Sequence, residues 1–438
     1  MNRFKIMMII LVCVVLLAVS WLVAITAKSD VDKQADFVSQ AEELIRDGVI
    51  IRAYPLLEEA ILYDTDDSLR IENMLKKIYL ELIEQTGFRR KYVELLEKQM
   101  SREDAHSDVF MEAAEYHLSI RRHADAFEVL RDGIEKTGSK QLIDLYEQER
   151  YVYRINRTNY DLVMTGYNSY FQIQTDGLWG LARSDGSVII PCQFDKISTF
   201  SMGMAVAKNG NEIFAVDRNG NRILKLHANA TDFGSFSDNR VTLSMDGAWH
   251  RATSEFEFGA ATFEEIGMHN GGNAAAKQNG KWGVVNLSSE WIVPAEYDEI
   301  IMDELGRSYS QSAVFVKNGN NVTLLVDGEQ VGDVYEDARP FGDEYYAAVK
   351  KNGLWGFIDT TGNVVINYQY EDALSFGQHL AAVKVGEFWV YINVRGKVVI
   401  EDEFLEAKSF SGGSAPVLTD GGWRILSLVE FITIGGLF

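Results

Sequence analysis

The stretch GLWGLARSDGSVIIPCQFD, residues 177–195, returns as GKWGVVNLSSEWIVPAEYD at 280–298 and as GLWGFIDTTGNVVINYQYED at 353–372. A tryptophan and a later aromatic stand fifteen residues apart in each, as Trp179 with Phe194, Trp282 with Tyr297 and Trp355 with Tyr370, and again as Trp389 with Phe404. Degenerate copies fill the intervals, with Ile213 in the tryptophan slot, Trp249 without its following glycine, a segment near Val322 that lacks the tryptophan, and Trp423 in a last half-copy. Eight stretches superpose at a period of about 34 residues, which marks a repeat protein whose units bury their apolar faces on one another.

Within a repeat, short apolar runs such as SVII from Ser187, NVVI from Asn363, LAAVK from Leu380 and KVVI from Lys397 alternate with Gly, Asn and Asp. Runs of that length between turn residues predict three or four strands per repeat. The pairs Asp185-Gly186, Asn219-Gly220, Asp327-Gly328, Thr361-Gly362 and Arg395-Gly396 recur where a tight hairpin requires a positive φ. Tyr160–Asp176 aligns with the second half of a repeat and Gly421–Phe438 with the first half. Pairing the two would stitch the last blade to the first and remove exposed edges, giving a β-propeller of about eight blades. A β-solenoid is the alternative, although the apolar end EFITIGGL resembles a buried strand more than a polar cap.

Glycine marks a boundary ahead of this region, with four glycines before Tyr160 and thirty-two from it onward. Between Val31 and Arg157 apolar residues return every three or four positions, which predicts helices. They pair as hairpins: 41–64 turning at Gly48, 73–100 turning at Gly87, and 111–137 turning at His123 and Ala124. The run from Gln141 to Ile155 predicts a capping helix. Ahead of these, Arg3 and Lys5 precede an uncharged, predominantly apolar run from Ile6 to Ala27, long enough to span a bilayer. The basic flank predicts an uncleaved single-pass anchor, N-terminus inside and repeats extracytoplasmic. The expected domains are thus a membrane anchor over 1–30, helical repeats over 31–157 and a β domain over 158–438.

A net charge of −22 opposes nucleic acid and anionic lipid surfaces as partners at long range. Two cysteines, Cys13 and Cys192, leave folding to packing alone. The seven histidines are scattered without metal-ligand spacing, and no phosphate loop, dinucleotide fingerprint or nucleophile elbow is present. A carboxylate follows the second aromatic at Asp195, Glu264, Asp298, Glu336, Glu371 and Glu406, as expected of a recurring turn or ion pair; a ring of cation-binding carboxylates is the competing reading. Trp179, Trp249, Trp282, Trp355, Trp389 and Trp423 are expected to plug the cores, and Gly180, Gly283 and Gly356 to admit a neighbouring strand. No catalytic residue, metal ligand or cofactor is nominated.

GLWG at 177–180 and 353–356 and GKWG at 280–283, followed by AxVK-like strands such as AVAKNG from Ala205 and AAVKKNG from Ala347, resemble the WG-repeat family of bacterial proteins. The helical segment resembles a tetratricopeptide array, with Gly48, Ala60, Ala113 and Ala126 near its small-residue positions. The resemblance implies a non-enzymatic binding role on the cell envelope, with other envelope proteins as partners. A cell-wall glycan or peptidoglycan module is the alternative, recognisable if Tyr167, Tyr170, Phe171, Tyr309, Tyr345 and Tyr346 share one exposed face.

Overall fold

A computed structural model describes residues 29–430, apart from 64, 226–228, 311 and 343–344. It divides into two compact units between Tyr146 and Glu147.

The first unit is built from helical hairpins. Helices α1 (Asp30–Arg46) and α2 (Ile50–Ala60), α3 (Ser68–Glu81) and α4 (Phe88–Met100), and α5 (Ser107–Ser119) and α6 (His123–Thr137) pair in sequence, followed by α7 (Lys140–Glu149). Ala41, Ala53, Ala60, Ala113 and Ala126 are buried, since a methyl group lets two helices approach closely. Gly48, with φ +75°, has open space where a Cβ would stand and makes the turn; the close-packed glycine is Gly133, whose Cβ would meet Phe110 Cβ at 2.7 Å. Carboxylates tie successive hairpins together. Glu58 on α2 accepts from Tyr79 Oη at 2.7 Å and Lys91 Nζ at 2.6 Å, while Glu112 on α5 accepts from Tyr92 Oη at 3.0 Å and Lys76 Nζ.

The second unit is a closed ring. Among the described residues its strands form eight sheets, each of four antiparallel strands, one with a short extra strand, and seven of the eight take their strands in sequence order. We call them blades 1–8 and their strands a to d. Blades 1–7 run from Leu162–Phe194 to Asp372–Phe404. Blade 8 takes strands a, b and c from Glu406–Ala407, Ser414–Thr419 and Gly422–Leu428, and its d strand from Tyr153–Ile155, at the other end of the unit. The solenoid alternative is thereby excluded, and the ring is an eight-bladed β-propeller.

The apolar cores lie between blades. Phe194 and Leu181 of blade 1 pack with Phe200 and Phe214 of blade 2, and Trp355 and Phe357 of blade 6 with Phe376 and Val383 of blade 7. The same packing spans the closure, where Trp423 and Ile425 of blade 8 meet Tyr160, Phe171 and Ile173. Alanines crowd the b strands (Ala205, Ala207, Ala274–Ala276, Ala347, Ala348, Ala381, Ala382), all fully buried, because blades converge toward the axis and leave room only for small side chains there.

The fifteen-residue spacing follows from pairing. Trp179 lies opposite Phe194, Trp282 opposite Tyr297, Trp355 opposite Tyr370 and Trp389 opposite Phe404 on strands c and d, with register shifts just after each tryptophan. Those irregularities explain the glycine that follows. A Cβ on Gly180, Gly283 or Gly356 would lie 2.3, 2.4 or 2.8 Å from the carbonyl oxygen of Ile190, Val293 or Ile366 on strand d. Glycines 186, 220, 328, 362 and 396 all have φ between 75° and 84°, as their hairpins require.

Two expectations are corrected. Residues 6–27, read as a membrane-spanning helix, lie outside the described residues; among the described residues no helix is long and apolar enough to cross a membrane, and the fold they show is a helical unit and an eight-bladed propeller. The capping helix expected over 141–155 stops at Glu149, and Tyr153–Ile155 is a strand pairing with Leu426–Leu428. Its helical periodicity was local, whereas its strand partner lies at the far end of the unit. The apolar end of the chain, 431–438, falls outside the described residues.

Candidate functional site: the axial channel

Strand a is two residues long in seven of the eight blades. Side chains on or beside the a strands of blades 5–8, Glu299, Asp337, Asp372 and Glu406, line one cavity of about 470 Å³, so these strands face the axis.

The recurring carboxylate stands one position earlier and closes a turn. Asp195, Glu264, Asp298 and Glu336 accept from the backbone N–H of Gly210, Gly280, Gly319 and Gly353 at 2.6, 2.9, 2.8 and 3.1 Å, in the hairpin between strands b and c. Asp161 does the same for Asp176 at 2.7 Å. Asp298 also meets Lys281 Nζ at 2.7 Å, and the hydrogen bonds of Lys281 and Gly319 hold its carboxyl below the usual range. Glu406 is corrected out of this set. Leu405 occupies the equivalent position in blade 8, its N–H bonding Leu418 O as Glu336 N–H bonds Lys350 O, and Glu406 faces the cavity.

Within the cavity opposite charges meet. Arg339 lies 3.3 Å from Asp337 and 3.4 Å from Asp372, Lys408 Nζ 2.5 Å from Glu304, and Arg307 Nε 2.7 Å from Asp303. Two of these cations also cover repeat tryptophans, Arg339 standing 4.3 Å from the centre of the Trp355 ring and Lys408 5.0 Å from that of Trp423; outside the cavity Lys277 stands 5.7 Å from that of Trp282. Trp282, Trp355, Trp389 and Trp423 are buried, while Trp179 and Trp249 are half-buried.

A loop crosses this channel. Strands a and b are joined by six residues in 198–203, 267–272, 374–379 and 408–413, but by twelve, 301–312, in blade 5. Asp303 shapes the extra length: its carboxylate accepts from the N–H groups of Leu305 at 3.0 Å and Arg307 at 2.8 Å, as well as from Arg307 Nε. The tip then touches four other blades. Glu304 accepts from Thr165 N–H of blade 1 and Lys408 Nζ of blade 8, Leu305 O accepts from Ser235 Oγ of blade 3 at 2.9 Å, and Gly306 O accepts from Met268 N–H of blade 4 at 2.8 Å. Gly267 leaves room for that carbonyl, since a Cβ there would lie 2.5 Å from Gly306 O. Glu304 borders both the 470 Å³ cavity and a second one of about 410 Å³ lined by blades 1–3, so the loop divides the channel.

Other candidate chemistry is buried or already bonded. Cys192 is half-buried with Sγ 3.6 Å from Ile173 O, and burial pushes its thiol up, away from a reactive thiolate. His269 is 1% exposed, receives Arg251 Nη1 at 3.1 Å, and is pushed down to about 3 by burial and by the Arg251 and Arg240 charges. Among the described side chains the aromatic face expected of a glycan module is not formed. Phe171 is fully buried, Tyr170 packs on Phe200 with ring centres 4.8 Å apart, Tyr346 on Phe376 at 5.8 Å, and Tyr345 is exposed. Sequence reasoning missed Glu304, Arg339 and Lys408; the available signal for the loop was the interval from Trp282 to the Val322 slot, which exceeds the usual repeat by the six residues this loop has over its counterparts.

The family described as WG containing repeat matches residues 179–212, 282–321, 334–355, 355–389 and 389–423, all in the propeller. No curated protein matches the chain. Among solved structures, Kluyveromyces lactis Hsv2p is similar at 9% identity and a TM-score of 0.39 over 54% of this chain and 93% of its own. A eukaryotic initiation factor is similar at 10% identity and 0.40, over 64% and 88%, and the Pan2 WD40 domain of Neurospora crassa at 9% and 0.35, over 63% and 90%. The ring itself is defined by the strand pairing described above.

Proposed function

We propose that this chain is a non-catalytic scaffold that binds other proteins on the outer surface of its ring and on its helical hairpins. The observation that carries the reading is the perimeter. On the outer d strands, Ile223 and Leu224 of blade 2, Trp291 and Ile292 of blade 4, and Val364 and Val365 of blade 6 stand exposed as adjacent apolar pairs. Each strand is the last of its sheet and has a free backbone edge among the described residues. Exposed apolar side chains beside an open strand edge offer both the area and the hydrogen bonds that an extended partner segment uses. Inside the ring, by contrast, the recurring carboxylates close turns, the cations lie against acids and tryptophans, and a loop divides the channel. Buried Ala60, Ala113 and Ala126 support reading the helical hairpins as tetratricopeptide-like, a second surface for partners.

Site-specific photocrosslinking on the full chain tests this, with the probe placed at Trp291 and, separately, at Leu374 in the channel. Discrete protein adducts from position 291, abolished by Ile292→Glu and by Leu224→Glu on the neighbouring perimeter, are the expected result. Adducts from position 374 alone would contradict the reading.

A further inference from the structure

We propose that the loop 303–307 of blade 5 is an internal clasp that locks the ring at its one break in covalent continuity, with Glu304 as the pin. That break lies within blade 8, between strand c, Gly422–Leu428, and strand d, Tyr153–Ile155. From strand d the chain runs directly into blade 1, so Thr165 stands on one side of the break and Lys408 on the other.

The outer side of the break is held by main-chain and side-chain bonds. Tyr153, Arg154 and Ile155 pair with Leu428, Ser427 and Leu426; Asn156 N–H donates to Ile425 O at 3.0 Å and Asn156 Oδ1 accepts from Ile425 N–H at 2.8 Å; Arg424 Nε donates to Asn159 Oδ1 at 2.5 Å. Val429 N–H to Val152 O and the Tyr160–Trp423 pair extend this edge, but the strand itself pairs only three residues, short enough to open locally. At the axis a single carboxylate spans the same break, Glu304 Oε1 receiving Thr165 N–H and Oε2 receiving Lys408 Nζ at 2.5 Å. Opening the ring there would separate Lys408 or Thr165 from that carboxylate. Lys408 is only 7% exposed, so its ammonium would lose its counter-charge before regaining full hydration. The clasp is itself rigid: Asp303 and Arg307 preform the turn, and Leu305 O and Gly306 O fix it to blades 3 and 4 across from the break. Opening is thus opposed by a strut based on covalently continuous blades, independent of the strand pairing at the rim.

Hydrogen exchange read by mass spectrometry on the full chain, with Glu304→Gln and Glu304→Ala compared to the parent at neutral pH, tests this. The clasp predicts about tenfold faster exchange in 153–165 and 406–428, with 240–253 of blade 3 unchanged. If neither variant accumulates folded, Lys408→Met, which removes the cation and keeps the length of the side chain, is compared with the parent, and the clasp predicts faster exchange in the same two segments. Unaltered exchange at those segments, or an equal acceleration in every blade, overturns the proposal.

Discussion

Tyr160 and Trp423 exchange both backbone hydrogen bonds, Tyr160 N–H to Trp423 O at 2.9 Å and Trp423 N–H to Tyr160 O at 3.0 Å, although they open and close the propeller sequence. The pair restores in blade 8 the tryptophan-to-aromatic pairing that every complete WG copy makes within itself. It places the half-copies at the two ends of the unit in one blade and so closes the ring.

Strand d of blade 8 is predicted to be the weak point of the ring. Antiparallel alternation from Asn156, which bonds Ile425, puts the Arg154 N–H toward Ser427. Arg154→Pro removes that donor and should cost about 3 kcal/mol. Chemical denaturation checks it, and an unchanged midpoint would mean that the strand contributes little.

The glycine after each tryptophan is predicted to be required sterically. Gly283→Ala places a methyl group against Val293 O, at an ideal distance of 2.4 Å, and should destabilise by about 2–3 kcal/mol. Blade 7 shows the limit of the rule: Val390 follows Trp389 there, with the same register shifts. Val390 packs on the core between blades 6 and 7, so Val390→Gly loses that packing and adds a flexible strand residue, and should cost about 2–3 kcal/mol instead of relieving strain.

Two tryptophans are predicted to behave oppositely. Trp355, 3% exposed and covered by Arg339, should cost about 3–5 kcal/mol when replaced by alanine. Trp291, 38% exposed outside the repeat slot and edge-on to Phe263, should cost only about 1 kcal/mol on the same substitution while weakening partner capture. Thermal unfolding and crosslinking yield separate the two roles.

Acid is predicted to loosen blades 3 and 4 through His269. Its imidazole is pushed down to about 3 in the folded state, against an ordinary 6.5, so it is neutral at pH 7 whether folded or unfolded. Below 6.5 the unfolded chain takes up a proton that the folded chain refuses, so stability falls with pH until about 3. From pH 6.5 to 4 the loss from this group should approach ~3 kcal/mol. His269→Gln keeps an acceptor for Arg251 and should flatten that part of the curve in urea titrations across pH; an unchanged slope would assign the acid sensitivity elsewhere.

Much of this architecture was legible in the chain because a repeat states its own geometry many times. The Trp-to-aromatic interval encoded a strand pair, and the half-copies at Tyr160 and Gly421 encoded closure. What stayed hidden depends on distance in sequence. Tyr153–Ile155 is made of strand-forming residues but follows the helical run without a turn residue between them, and it becomes a strand by meeting Leu426–Leu428. Glu304 looked like one acid among 64, since nothing local indicates that it reaches blades 1 and 8. The acid after the second aromatic was recognised, but in blade 8 the count slipped by one, because Leu405 replaced it and Glu406 stood next in line.

The closed ring is tested most directly by covalently joining its ends. Tyr153 and Leu428 face each other at a non-hydrogen-bonded position of the closure, where paired side chains lie closest. In a background with Cys13→Ser and Cys192→Ser, Tyr153→Cys with Leu428→Cys should form an intramolecular disulfide under mild oxidation, seen as faster migration of the unreduced monomer and as a linked peptide by mass spectrometry. Free thiols in the oxidised monomer, or disulfides found only between chains, would contradict the closed eight-bladed ring.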